Sequence, residues 1–135
     1  MPTLYLLFSH TLTEAQTADA VQSLAVQDFV SLPEDLQSRW SGIPPELASL
    51  DDHLAPVLEW LRTRAQPEDF VLVQGDFGAT FCVVDACRRE GLGIPIYATT
   101  ERSTQELPQP DGSIRKVSVF RHVRFRRFYP MPAKE

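Results

Sequence analysis

The residues able to do chemistry in this chain fall into short polar clusters: Ser9-His10-Thr11, Gln74-Gly75-Asp76-Phe77-Gly78, and Thr99-Thr100 with Arg102. A histidine such as His10 can pass a proton near neutral pH, though it serves equally well as the first residue of a surface loop. Ser9 and Thr11 offer hydroxyls, as helix caps or as hydrogen-bond partners for a phosphate. No elbow motif or Ser-His-Asp order makes a nucleophile of either. Gly75 and Gly78 have a Gly-x-x-Gly spacing. At the start of a helix this lets the backbone approach an anion, and the free N–H groups there favour phosphate. The same spacing also makes a plain tight turn. The phosphate-loop and dinucleotide fingerprints are both absent. Asp76 can cap a helix, or bind a ribose hydroxyl or act as a base. Gln74 supplies an amide that orients a ligand without titrating, and Phe77 lies within the same loop. Arg102 carries a planar cationic fork suited to phosphate, or is a surface arginine in a loop, with Thr99 and Thr100 beside it.

The elements that must position these clusters are legible in the apolar pattern. Thr3–Phe8 reads as a first strand. A helix follows, capped by Thr11 or Thr13, with Gln16 completing a capping-box pattern; Val21, Leu24 and Ala25 continue its stripe. A short second strand lies in Asp28–Pro33, with Ser31 as the cap of a further helix. Gly42 and Pro44-Pro45 break the chain. Leu47, Leu50, Leu54, Val57, Leu58 and Leu61 then mark a helix that Pro67 closes. Phe70–Val73 is apolar throughout, as in a strand buried on both faces. A helix over Ala79–Glu90 ends at Gly91, and Ile94–Thr100 is a fourth strand. A polar loop over residues 101–113 contains the Asp111-Gly112 turn signal. The final strand or hairpin arm places Val117, Val119, Val123 and Phe125 on one parity and His122, Arg124 and Arg126 on the other. The alternation predicts an α/β domain with a mostly parallel sheet and a basic C-terminal strand or hairpin, over residues 1–130, with a tail at 131–135. In such sheets ligands sit beyond the carboxyl ends of the strands, near a switch point. All the polar clusters are expected at that one edge.

Bulk properties narrow the function classes. The net charge of −5 disfavours a grip on long duplex DNA or RNA. The stretch 113–129 nevertheless carries Arg115, Lys116, Arg121, Arg124, Arg126 and Arg127 and no acid. It reads as an edge strand guarded by charge, with a small anionic ligand as the other use. No apolar run approaches the ~20 residues of a membrane-spanning helix, and the first residues lack the pattern of a signal peptide. A cytoplasmic protein with no membrane partner is expected. Cys82 and Cys87 have no companions for a metal set. They read as buried apolar residues, and Trp40 and Trp60 as packing residues; neither a metal nor a cofactor is implied.

Several linked blocks carry a resemblance: "LLFSHTLTEAQ", "SLPEDLQSRWSGIPPEL", "VLVQGDFGATF", "IYATTER" and "FRHVRFRRF". Together they resemble the small stand-alone ring nucleases of the Csx group, which accompany type III CRISPR systems. The resemblance implies a CARF-like, Rossmann-like domain, a homodimer, and metal-independent opening of cyclic oligoadenylate, foremost cyclic tetra-adenylate. In that reaction the ribose 2′-hydroxyl attacks the adjacent phosphorus. From their positions, His10 is the first choice for proton transfer and Asp76 the second. Arg102 and the amides near Gly75 and Gly78 would then stabilise phosphoryl charge. Ser9, Thr11, Gln74, Phe77, Thr99 and Thr100 complete the binding set. His122, Arg124 and Arg126 line the groove, flank a dimer interface or guard the edge. The alternatives are a module that binds cyclic oligoadenylate without cutting it, or an unrelated nucleotide-handling or structural α/β subunit.

Overall fold

Phe70–Val73 is buried at every position, and both of its neighbours in the sheet run parallel to it. An apolar run without polar alternation forms such a strand because helices cover both of its faces. The computed structural model describes residues 1–130; the tail expected at 131–135 lies outside the described residues. The elements are β1 (Thr3–Leu7), α1 (Glu14–Leu24), β2 (Asp28–Ser31), α2 (Glu34–Ser41), α3 (Asp51–Arg62), β3 (Phe70–Val73), α4 (Phe77–Glu90), β4 (Ile94–Pro108) and β5 (Ile114–Arg127). They build one five-stranded sheet in the order β2-β1-β3-β4-β5. β1 to β4 are parallel and β5 is antiparallel to β4. The chain reverses its direction of travel across the sheet between β1 and β3, which makes that gap the switch point.

Strand alternation sorts the core into two layers. Tyr5, Leu7, Val71 and Val73 face α2, α3 and α4. Leu4, Phe70, Leu72 and Ile96 face α1, through Ala20, and meet Phe125 of β5. Both tryptophans lie in the first layer, and Tyr5 meets the Trp60 ring edge-on at 5.6 Å. Burying each large apolar side chain contributes roughly 1.5–3 kcal/mol. At the amino ends of the strands the Asp69 carboxylate, itself buried, accepts from the Thr3 amide at 3.0 Å and the Gln66 amide at 2.8 Å. The Asp69 carbonyl accepts from the Ile94 amide at 2.7 Å. One residue thus ties the starts of β1, β3 and β4.

The helix termini follow the sequence in part. Thr13 and Gln16 form the expected capping box on α1. The cap expected at Ser31 is corrected: Ser31 ends β2, and Pro33 precedes α2 without a side-chain cap. Leu47 and Leu50 fall before α3, which starts at Asp51. Cys87 is buried beside Leu92, and burial pushes its thiol up to about 12.

The largest correction concerns residues 101–113. In place of a loop, β4 continues to Pro108 and pairs with β5 from Ile96↔Arg127 out to Pro108↔Ile114. The turn does fall at Asp111-Gly112, with Gln109 donating to the Ser113 carbonyl at 2.8 Å. A polar segment forms strand here because β5 satisfies its backbone, a pairing that alternation alone does not reveal.

A bulge interrupts the pairing: Thr99 meets Arg124 while Thr100 meets His122, leaving Val123 as the extra residue. The slip reverses the expected parity. His122 shares the inner face with Phe125, its ring 4.8 Å away, and Val123 is 52% exposed. Register puts Val117 and Val119 in the row of Arg124 and Arg126.

His122, with its side chain 5% exposed, pairs through Nε2 with the Asp19 carboxylate of α1 at 2.7 Å. Ser23 donates to the other oxygen at 2.5 Å. Burial pushes the Asp19 carboxyl up, but the hydrogen bonds from Ser23 and His122 and the nearby Arg124 outweigh it and hold it below 3.8. A depressed folded value stabilises the fold above the unfolded value and is lost as pH falls through the folded one. Asp19→Asn is therefore expected to lower stability by about 1–3 kcal/mol near neutrality. In urea unfolding, its difference from the parent should shrink as pH falls below 3.8; a difference independent of pH would contradict this.

Candidate functional site

At the carboxyl end of β1 the chain leaves the sheet at Phe8 and turns through Ser9, His10 and Thr11 to the Thr13 cap. These residues line an open groove of about 690 Å³, whose other wall comes from the end of β2 and from α2, through Ser31, Gln37 and Ser41. The His10 ring is exposed and meets Phe8 edge-on at 5.4 Å. Ser9 and Ser41 share a hydrogen bond of 3.0 Å. The Gln37 amide donates to the Ser41 hydroxyl at 2.9 Å and to the Phe8 carbonyl at 3.1 Å. The groove therefore presents hydroxyls, one imidazole and an amide network that fixes its walls. Such a lining suits ribose and phosphate oxygens and proton transfer to or from a hydroxyl.

The end of α2 is wedged into the switch point. Trp40, only 1% exposed, donates its indole N–H to the Gln74 carbonyl at 3.1 Å. A Cβ at Gly75 would lie 3.0 Å from that indole nitrogen and 3.1 Å from two of its carbons. Gly75 therefore lets Trp40 approach the β3–α4 turn. Gly78 is approached less closely, by a Leu50 methyl at 3.3 Å. Packing thus accounts for Gly75.

Asp76 is the N-cap of α4, its carboxylate accepting from the Ala79 amide at 3.0 Å. α4 consequently starts at Phe77, two residues before the expected Ala79, because the cap sits inside the glycine pair. Gln74 extends the β3–β4 ladder with its side chain: Oε1 accepts from the Ala98 amide at 2.9 Å. On this side of Trp40 a second open cavity, of about 480 Å³, is lined by Gln74, Gly75, Phe77, Thr80, Tyr97 and Phe128. The Ser9–Thr11 and Gln74–Gly78 clusters expected at one edge are thus divided between two grooves.

The third cluster is on the arm. Thr99 sits at the bulge, its hydroxyl exchanging hydrogen bonds with the backbone of Arg124 at 3.0 and 3.2 Å. Thr100 is exposed and pairs with His122. Arg102 lies in the pairing beyond it, over the Phe120 ring at 5.7 Å and 3.3 Å from the Ser118 hydroxyl. It is strand, where a loop at the sheet edge was expected, and the structure does not bring it to either groove lining. The basic residues of β5 are mostly engaged. Arg121 pairs with Glu101, and Arg126 contacts the Tyr97 hydroxyl at 3.2 Å with its guanidinium 5.7 Å from that ring.

Sequence reasoning missed Tyr97, Thr80 and Phe128 as cavity walls, and Gln37 and Ser41 as groove walls. Tyr97 was readable in principle, two residues past Pro95 on the strand next to Gln74. The others depend on helix and chain-end placement that no local pattern encodes.

The family described as "Uncharacterized protein MJ1673 family" matches residues 2–126. A relative printed as "Uncharacterized protein MJ1673", from Methanocaldococcus jannaschii, is 45% identical over 130 residues, covering 96% of this chain and 99% of its own length. No solved structure matches the chain.

The Trp40–Gly75 contact sets a measurable expectation. Gly75→Ala should destabilise the fold by about 1–3 kcal/mol, since a buried, hydrogen-bonded indole cannot withdraw. In urea unfolding the loss should be smaller in a Trp40→Phe background, where the shorter ring leaves room. Equal losses in both backgrounds would place the strain elsewhere.

Proposed function

We propose that this chain, which belongs to the MJ1673 family, binds cyclic oligoadenylate at the carboxyl edge of its sheet and opens the ring. The ring is foremost cyclic tetra-adenylate, and the domain is a CARF-like variant of the Rossmann-like fold that acts as a homodimer. The observation that carries this reading is the position of His10, exposed among the hydroxyls of Ser9, Thr11, Ser31 and Ser41 in the groove beyond β1. Its support in sequence is the resemblance of the linked blocks to the Csx ring nucleases.

The chemistry needs little from the protein. The nucleophile, a ribose 2′-hydroxyl, is already part of the substrate, so the main task is to hold oxygen, phosphorus and leaving oxygen in line. The 2′-oxygen bonds to phosphorus as its proton leaves, and the bond to the 5′-oxygen breaks as that oxygen gains a proton. The product is linear, with a 2′,3′-cyclic phosphate at one end and a 5′-hydroxyl at the other. His10 moves the proton. The Ser9 and Thr11 hydroxyls hold phosphate or ribose oxygens. The amides of Phe77 and Gly78, first in α4 and without intrahelical partners as in any helix, provide positive potential at the same edge. A two-fold dimer would present these groups twice to a ring of identical units.

A second reading, binding without cleavage, is favoured by what two other candidates are doing. Asp76 is committed to the α4 cap, and Arg102 is paired along the arm. Holding the ring would then be the whole function.

Incubation of the purified protein with cyclic tetra-adenylate in EDTA, followed by chromatography, decides between them. Ring opening predicts linear adenylates formed in proportion to enzyme, and His10→Ala should lower the single-turnover rate roughly 10²–10⁴-fold with unchanged thermal stability. Intact ring retained by the protein would establish the second reading. Intact ring that is not retained would refute both.

A further inference from the structure

The second cavity is walled by three aromatic side chains from three separate segments: Phe77 at the start of α4, Tyr97 of β4, and Phe128 just past β5. Single exposed apolar residues are ordinary on any surface. Phe77 is not of that kind. It is 95% exposed, at the rim of a concave surface whose other rings, Tyr97 and Phe128, stand 4.8 Å apart at 55°. Arg126 touches the Tyr97 hydroxyl and lies over its ring, which restrains the ring's orientation.

One polar group marks the same cavity. Gln74 has its orientation dictated, because only a carbonyl oxygen can accept from the Ala98 amide. The Nε2 of Gln74 is therefore the outward group, and no described residue accepts from it.

We propose that Phe77, Tyr97 and Phe128 form a stacking shelf for a purine base, with Gln74 Nε2 meeting its polar edge. The aromatic faces supply base-tolerant stacking. Gln74 Nε2 donates to a ring nitrogen. Adenine offers such an acceptor at N7. The choice of adenine rests on the reading given under Proposed function; the shelf as a site for a planar base does not.

The test uses adenosine and uridine 5′-monophosphates, titrated by NMR into the full chain and into Phe77→Ala, Phe77→Leu and Tyr97→Ala. Oligomeric state is followed by sedimentation. Saturable shifts centred on residues 74–80 and Tyr97 are expected with the adenosine nucleotide, which should bind more tightly than the uridine one. Phe77→Ala and Tyr97→Ala should each weaken it about tenfold or more. Phe77→Leu should behave like the alanine variant, since it keeps apolar bulk but loses the π-face.

Unchanged affinity in Phe77→Ala, or shifts confined to the groove around His10, would overturn the shelf. So would a Phe77→Ala variant that parts a dimer into monomers binding the nucleotide as the parent does, because the aromatics would then be an interface between copies. The two proposals fail separately. A parent that binds adenosine monophosphate on the shelf but leaves cyclic tetra-adenylate intact refutes ring opening alone. Ring opening with an unaltered KM in Phe77→Ala refutes the shelf alone.

Discussion

The approach of Trp40 to Gly75 is the contact on which the functional edge depends. One indole fills the space that a side chain at residue 75 would need, and its N–H holds the carbonyl of the preceding residue. In doing so it draws α2 across the gap between β1 and β3, where an open α/β sheet would otherwise leave its crevice. Ser41, the next residue, reaches Ser9 from the same helix end. The edge becomes two grooves, a hydroxyl-lined one with His10 and an aromatic one with Phe77.

Much of the scaffold was legible because it rests on local signals. The uniformly apolar run at Phe70–Val73, the Thr13/Gln16 capping box and the Asp111-Gly112 turn each encode their structure within a few residues. What was not legible depends on partners far along the chain. Glu101–Pro108 reads as loop because its side chains are polar, yet its backbone is satisfied by β5. The Val123 bulge has no signature in the alternation, so His122 was placed on the wrong face. Its burial next to Asp19 joins residues 103 apart in sequence.

The candidate site was legible in the same uneven way. Residue types at strand ends identified Ser9, His10, Thr11 and the Gln74–Gly78 loop as the groups around an edge. They did not reveal why Gly75 is there. A Gly-x-x-Gly spacing is the same whether the vacant volume admits a phosphate or an indole, and only the position of Trp40, 35 residues earlier, separates the two. Phe77 is the converse case. It stood in the sequence as one loop residue among five, and it stands in the structure as the most exposed aromatic ring of the cavity wall.

The opposite end of the sheet has its own logic. The Asp69 carboxylate and carbonyl hold the first residues of β1, β3 and β4 in mutual alignment, at the end remote from both grooves. Alignment of the parallel strands is therefore anchored at the end away from the two grooves. The turn after β3 shares that duty, since Gln74 bonds both Leu7 and Ala98, but the turn after β1 is relieved of it. Insertions, deletions and side-chain exchanges in the turn after β1 can be sampled without shifting one strand past another. A lineage carrying this buried aspartate can vary that turn while inheriting the same scaffold.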